Sequence, residues 1–180
     1  METEMEMENK RRQANILITG TPGTGKTTTA ELLGLATGKQ VLTVGEYAKR
    51  EKLFLEYDEE FDTHYMDEDR VLDGMEEELK EGNVIVEHHS CDLFPERWFD
   101  LVVVLRTGTE KLYDRLVERG YNEKKVQENM ECEIMTVVLE DALECYDNSI
   151  VMELESNSVE DMESNVEKIV EWIANFENQE

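Results

Sequence analysis

The sequence predicts an α/β fold in which a five-stranded parallel sheet carries helices on both faces. The first observation is that five short apolar runs recur along the 180 residues, with helical patterns between them. Such alternation is typical of a parallel sheet covered by helices. The runs are Ile16–Ile18, Val41–Val44, Val84–Val86, Leu101–Leu105 and Ile150–Leu154. The second observation is a glycine-rich loop that directly follows the first run and precedes a helical pattern.

This loop, residues 20–27, reads Gly-Thr-Pro-Gly-Thr-Gly-Lys-Thr and completes the G-x-x-x-x-G-K-[ST] pattern. Gly23 and Gly25 let backbone N–H groups approach phosphates. Lys26 can reach the β- and γ-phosphates of a nucleotide, and the Thr27 hydroxyl can ligate Mg²⁺. A turn that is merely glycine-rich has no need of the lysine and the threonine. The loop therefore predicts a phosphate-loop NTPase that binds a nucleotide together with Mg²⁺.

Helical spacing of apolar residues predicts four further helices. They are expected at residues 67–80, 109–119, 122 to about 147, and from 158 onward. Asn122 can cap the third of these helices, and Ser158 with Asp161 can cap the last one. The apolar stripe of the third helix consists of Val126, Met130, Ile134, Val138, Ala142 and Cys145.

The segment from Gly45 to Met66 differs from its surroundings, because it is rich in charged and aromatic residues and lacks a clean strand pattern. We interpret it as an insertion over the carboxyl edge of the sheet. The two strand patterns after it, 84–86 and 101–105, are apolar throughout, as in strands that are covered on both faces. We therefore expect these two strands to flank the strand that precedes the phosphate loop.

The composition favours a soluble protein with basic partners. There are 44 acidic and 18 basic residues, a formal charge of −26. This charge argues against direct binding to DNA or RNA and favours a basic protein, although solubility alone would also explain it. Three cysteines without a paired framework, and no apolar run of about 18 residues, predict a reducing compartment and no membrane span. Residues 1–13 are acidic and of low complexity, so we expect a disordered tail before a single domain, 14–180.

Two arginines are candidates for neutralising charge during phosphoryl transfer. Arg115 and Arg119 lie four residues apart on one helix face, and Arg119 directly precedes the break at residues 120–122. Arg119 can therefore move with a short lid and close over the site. The alternative is a solvated surface pair that contacts Glu118 or Glu123.

Polar residues follow the third predicted sheet strand, where phosphate-loop enzymes place a carboxylate for Mg²⁺. Glu87 is the candidate and would hold the metal directly or through water. His89 could orient a water molecule for ATP hydrolysis as a neutral imidazole, or merely hydrogen-bond the loop. A further alternative is a zinc cluster of His88, His89 and Cys91, although a structural zinc site normally has four ligands.

Five stretches make a more specific comparison possible. Residues 20–28, 67–71, 91–99, 105–107 and 119–125 together resemble the adenylate kinase isoenzyme 6 family. The resemblance covers about residues 14–175. Its most specific part is Cys-Asp-Leu-Phe-Pro-Glu-Arg-Trp-Phe at 91–99.

The resemblance implies an adenylate-kinase-like core with a nucleoside-monophosphate-binding (NMP-binding) insertion at about 43–66 and a lid at about 118–128. It also implies transfer of phosphate from ATP to AMP, ATP hydrolysis, and assistance to small ribosomal subunit maturation with a basic small-subunit ribosomal protein, in nucleus and cytoplasm. The implied ATP-binding residues are Gly23, Gly25, Lys26, Thr27, Thr28 and Arg119, and the implied NMP-binding residues are Lys49 and Arg50.

Three places depart from the family pattern. The family's Asp-x-His-Gly-Cys is here Glu-His-His-Ser-Cys at 87–91, and its Val-Gly-Asp is here Val-Gly-Glu at 44–46. Its usual arginine in the NMP-binding segment is here Lys49. Because a lysine lacks the bidentate fork of an arginine, weaker AMP binding is expected.

The leading interpretation is an Mg²⁺-dependent kinase with ATP as the phosphate donor and AMP as the acceptor. An alternative is an ATP-switched ribosome assembly factor whose main activity is hydrolysis coupled to the release of a basic ribosomal protein, and the acid excess and His89 favour it. A phosphate-loop GTPase would carry an Asn-Lys-x-Asp motif after the loop, and the sequence has none.

Overall fold

A computed structural model describes residues 13–61 and 63–179. The strands are β1 (Ile16–Thr19), β2 (Gln40–Thr43), β3 (Phe54–Asp58), β4 (Thr63–Met66), β5 (Val84–Glu87), β6 (Leu101–Arg106) and β7 (Val151–Glu155). The helices are α1 (Lys26–Thr37), α2 (Val44–Arg50), α3 (Glu68–Glu81), α4 (Thr109–Glu118), α5 (Glu123–Ile134), α6 (Val137–Cys145) and α7 (Val159–Glu177). Residues 1–12 of the predicted acidic tail lie outside the described residues.

The five-stranded parallel sheet confirms the predicted fold class. Its strand order is β2-β5-β1-β6-β7, so β5 and β6 flank β1 as expected. Every residue of β1 is buried, because side chains from both of its faces enter a core. Leu17 packs in the core under α2, α3 and α6. Ile16 and Ile18 point to the opposite face and pack in the core under α1 and α7.

The helix ends follow the capping residues of the sequence. The Asn122 side chain accepts a hydrogen bond from the Lys125 N–H at 2.8 Å, and the Ser158 Oγ accepts one from the Asp161 N–H at 3.1 Å. Both capping residues are therefore confirmed, although the Asp161 side chain accepts from the Asn157 N–H at 2.9 Å and not from the Ser158 N–H that a capping box requires. None of the helices in the described ranges combines the length and apolar character that crossing a bilayer requires.

The predicted long helix from 122 to about 147 is wrong, because the chain breaks it into α5 and α6. Thr136 has a φ of 56°, a left-handed conformation that ends one helix axis and starts another. The two helices pack on different partners: Val126 of α5 lies in a small cluster with α4, whereas Val138 of α6 packs on the sheet. A single apolar stripe on one straight helix cannot pack on both α4 and the sheet. Ile134, which was predicted to belong to this stripe, is accordingly 58% exposed.

The segment interpreted as an insertion contains α2 and an antiparallel hairpin of β3 and β4. Its register pairs Phe54 with Met66 and Tyr57 with His64, and an irregularity between Phe54 and Glu56 shifts the pairing. This bulge places Phe54 and Tyr57 against the same partner ring, so the strand lacks the alternation by which strands are recognised in a sequence.

A buried lysine connects the beginning and the end of the described domain. The Lys39 Nζ donates to the Ala14 carbonyl at 3.0 Å and forms an ion pair with Glu177 Oε1 at 2.7 Å. The same carboxylate oxygen accepts from the Ala14 N–H at 3.1 Å. The start of the first sheet strand is therefore fixed to the end of α7.

Candidate nucleotide-binding site

The phosphate loop connects β1 to α1 at the carboxyl edge of the sheet, where its backbone conformation requires glycine. Gly23 and Gly25 have φ values of 94° and 86°, which L residues rarely adopt. A Cβ on Gly23 would also lie 2.9 Å from Leu112 Cδ1 of α4. Both glycines thus hold the loop in a curve against the neighbouring helix, with the N-terminus of α1 behind it.

Lys26 is the buried cation of this loop. The residue is 7% exposed, and its Nζ donates to the Thr21 carbonyl at 3.2 Å. Burial lowers the pKa of Lys26 to about 8, and the nearby carboxylates of Glu87 and Glu133 only partly oppose this effect. A buried ammonium gains most from anionic groups placed beside it, which is what the phosphates of a nucleotide supply.

Glu87 ends β5 next to β1 and β2, and its side chain is buried. Burial raises the pKa of the Glu87 carboxyl, while the charge of Lys26 and hydrogen bonds with Thr43 and Thr27 oppose the rise. The Thr27 hydroxyl and the Glu87 carboxylate are therefore neighbours at the start of α1. Hydroxyl and carboxylate oxygens are donors that Mg²⁺ accepts, so these two residues fit the predicted metal site. Thr28, the next residue of α1, is exposed.

The two histidines after Glu87 have different surroundings. His88 is buried and contacts the Phe94 ring at a centroid distance of 5.9 Å, whereas His89 lies in the cleft and is open to solvent. Partial burial against neighbouring residues, together with the charges of Lys26 and Lys125, lowers the pKa of His89 to about 4, so its imidazole is neutral at pH 7. The alternative zinc cluster is not formed: the Cys91 Sγ contacts the Val138 carbonyl, and no group of three such ligands is assembled within the described ranges.

The two candidate arginines occupy different positions. Arg119 lines the cleft, and its Nη1 lies 3.4 Å from the Tyr121 hydroxyl. Arg115 instead donates to the carbonyls of Gly23 at 3.1 Å and Ser156 at 2.9 Å. In this conformation Arg115 connects the phosphate loop to the segment after β7, and its catalytic role stays a prediction.

The loop, the end of β5 and the hairpin enclose a cleft of about 680 Å³. An NMP-binding insertion was predicted on this side of the cleft, but none of the aromatic residues that line it was predicted as a site residue. His64 stands between the rings of Phe54 and Tyr57, with centroid distances of 5.0 and 4.8 Å. Phe54, His64, Tyr65 and Met66 all line the cleft. The signal that could have found this wall is the pair of aromatic clusters, 54–57 and 64–65, on either side of a polar turn.

Lys49 and Arg50 lie on α2, and neither is among the described residues that line this cleft. Arg50 forms an exposed ion pair with Glu51 at 3.2 Å and lies over the Tyr47 ring at 5.3 Å. Their contact with a monophosphate stays a prediction.

The segment predicted to form a lid, residues 118–128 and called the lid segment below, contacts the turn of the hairpin. The Asn122 side chain donates to the Glu60 carbonyl at 3.1 Å, and Lys124 forms an ion pair with the Glu60 carboxylate. Lys125 lies over the Tyr121 ring at 4.1 Å. The two segments that bound the cleft from above are therefore joined through Glu60, a contact that the sequence did not predict.

Comparison with known proteins places this site in a known family. Residues 16–136 match a family model described as an AAA domain. The chain is 48% identical over 171 residues to an adenylate kinase isoenzyme 6 homolog of Caenorhabditis elegans, covering 94% of each chain. It is 47% identical to the Schizosaccharomyces pombe homolog, covering 94% of this chain and 98% of the relative. A shikimate kinase structure from Acinetobacter baumannii is similar in fold, with a TM-score of 0.64 at 16% identity, covering 97% of this chain and 99% of that one.

Proposed function

Since this chain belongs to the adenylate kinase isoenzyme 6 family, a family of ATP-using phosphate-loop kinases, we propose that it transfers the γ-phosphate of ATP to AMP with Mg²⁺. The observation that carries this proposal is the shape of the cleft. Lys26, Glu87 and Arg119 line it together with the aromatic residues of the hairpin. The cleft thus offers charged groups for a donor triphosphate and aromatic rings for an acceptor base.

The donor side supplies fixed charge. The phosphates of ATP would lie on the loop, where Lys26 neutralises charge as the phosphoryl group moves. Mg²⁺ held by Thr27 and Glu87 would neutralise the charge of the β- and γ-phosphates. Arg119 approaches from the lid segment, so its charge is added when the lid closes.

The acceptor side supplies aromatic rings. Phe54 and His64 present rings to the cleft, and a purine base can stack on such rings with water excluded. The monophosphate would then point toward the loop, where its oxygen can meet the γ-phosphate in line. Placement of both reactants in one cleft is a large part of the rate enhancement expected of such an enzyme.

The deciding experiment measures ADP formation from ATP and Mg²⁺, with and without each nucleoside monophosphate. We expect AMP to increase the rate by at least about tenfold, because positioning of the second reactant dominates catalysis of this kind. Lys26→Met is the matched control for contaminating kinases. An unchanged rate with every monophosphate, in wild-type protein that is active as a hydrolase, would contradict phosphate transfer.

His89 favours a second candidate, an assembly factor in nucleus and cytoplasm that couples ATP hydrolysis to the release of a basic ribosomal protein during small-subunit maturation. A neutral imidazole open to the cleft can orient a water molecule. His89→Ala should therefore reduce hydrolysis without acceptor more than AMP phosphorylation, whereas Glu87→Ala should reduce both reactions. Equal losses from His89→Ala would remove the hydrolytic role. A pull-down with a basic small-subunit ribosomal protein, with and without ATP, tests the partner.

A further inference from the structure

A buried ion pair lies behind the phosphate loop, outside the cleft residues described above. The Glu133 Oε1 forms an ion pair with the Arg106 Nε at 2.9 Å, and the Arg106 Nη2 donates a hydrogen bond to the Glu133 carbonyl at 3.1 Å. The Glu133 side chain is 4% exposed. Arg106 thus holds both the side chain and the backbone of one residue in the last turn of α5.

This pair connects α5 to the sheet next to the strand that carries the loop. Arg106 is the last residue of β6, and β6 pairs with β1 up to Thr19 and Val104. Because burying the Glu133 carboxylate is costly, the ion pair is weak evidence for added stability. A role in positioning explains its presence better than stability does.

The loop residue that faces this turn of α5 is Thr21, which is itself buried. Its hydroxyl contacts the Cys132 Sγ at 3.9 Å, and Cys132 directly precedes Glu133 in this turn. The Thr21 carbonyl accepts from the Lys26 Nζ at 3.2 Å and from the Thr24 Oγ1 at 2.7 Å. A shift of Thr21 would therefore move Lys26 directly.

The other end of α5 belongs to the lid segment. Asn122 caps this end, and with Lys124 it contacts Glu60 of the hairpin turn. A helix of 12 residues is a rod of about 18 Å, so a fixed C-terminal end limits where the lid end can go. The pair at Glu133 is placed at the fixed end.

We propose that Glu133 is a positioning residue for the phosphate loop. Together with Arg106 it anchors the last turn of α5, so that Thr21 holds the Lys26 ammonium where the triphosphate binds. The effect on catalysis rests on the proposed phosphate transfer, whereas the effect on nucleotide affinity does not. No direct contact between Glu133 and a substrate is involved.

The test compares Glu133→Gln with Glu131→Gln, an exposed acid on the same helix. Calorimetric titration with ADP and Mg²⁺ gives the nucleotide affinity without any turnover. ATP and AMP kinetics give kcat and both KM values, at a temperature well below the melting temperature of each variant. For Glu133→Gln we expect affinity for ADP and kcat/KM for ATP to fall at least about tenfold, with KM for AMP within about twofold of wild type. Glu131→Gln should match the wild type.

A purely structural role predicts a lower melting temperature with normal ADP affinity and normal kcat/KM for ATP, and that result would overturn the proposal. Thr21→Val covers the case in which Glu133→Gln does not fold, because it changes only the hydroxyl that contacts Cys132 to a methyl group. It should weaken ADP binding in the same direction by about threefold, and unchanged ADP binding would overturn the proposal too. If wild-type protein binds ADP but phosphorylates no acceptor, only the proposed function fails, and the titrations still decide the role of Glu133.

Discussion

The two walls of the cleft are built in opposite ways. The loop wall, formed by the phosphate loop and the end of β5, holds Lys26 and Glu87 as buried residues. The hairpin wall, formed by β3, β4 and their turn, exposes Phe54 and Tyr65, and its contacts with the lid segment described above are made by exposed residues.

The difference separates two requirements of phosphoryl transfer. Stabilising a transition state demands charges that are already in place, which a buried and densely packed wall provides. Admitting two nucleotides and then excluding water demands a wall that can open and close, which few buried contacts make possible. Substitutions in the loop wall should therefore affect the chemical step, and substitutions in the hairpin wall should affect substrate binding.

The largest expected effect is the loss of turnover in Lys26→Met. The fold should remain intact, while kcat falls by about two to three orders of magnitude, because one preorganised contact with the transferring group is lost. Steady-state ADP formation measures kcat, and circular dichroism on the same sample shows whether the fold is intact. Near-normal turnover in folded protein would show that Lys26 does not supply the charge that stabilises the transferring group.

The same substitution should stabilise the protein without nucleotide. Burial lowers the pKa of Lys26 from 10.5, its ordinary value, to about 8 in the folded protein. Keeping Lys26 protonated in the folded protein at pH 7 therefore lowers the free energy of unfolding by about 3 kcal/mol. This cost is complete below pH 8 and disappears as the pH rises toward 10.5, where the unfolded chain also loses the proton. Lys26→Met should thus melt at a higher temperature than wild type at pH 7, with the difference closing above pH 10. A lower melting temperature for Lys26→Met at pH 7 would contradict the cost of burial.

Arg119→Ala tests the connection between the walls and should have an intermediate effect. We expect kcat and kcat/KM for ATP to fall together by about tenfold or more, since its contact is completed only when the lid closes. Arg115→Ala is a useful comparison, because Arg115 contacts the loop backbone. A rise in KM for ATP with constant kcat would assign Arg119 to substrate binding alone.

The smallest effect is expected at the turn of the hairpin. Glu60→Gln removes the exposed ion pair with Lys124, and such pairs contribute little in water. KM for AMP should rise by about twofold, with kcat and the melting temperature unchanged. Glu59→Gln, an exposed neighbour, is the control. A large loss of kcat in Glu60→Gln would mean that the hairpin wall takes part in the chemical step.

The phosphate loop could be predicted from the sequence because the residues that define it are adjacent in the chain. A contiguous motif specifies residues 20–27, and an apolar run specifies the strand that orients them. The hairpin wall and the break at Thr136 depend on tertiary packing: a bulge after Phe54 disturbs alternation, and the partners of α5 and α6 set the break. Glu133 was not predicted as a functional residue, because it is one of several acidic residues in α5. Its one signal is that it lies seven residues after Val126, on the same helical face as an apolar core residue.

The contacts of Lys39 with Ala14 and Glu177 bring the two ends of the described domain together, so the chain can be circularly permuted. Ala14 and Glu177 are in contact, so a short linker from residue 178 to residue 13 would need to span only a small gap. New termini could be opened at Asn148 and Ser149, in an exposed turn that does not line the cleft. Such a circular permutant should keep the sheet order and the nucleotide site, because the order in which the strands are joined is not what holds them together.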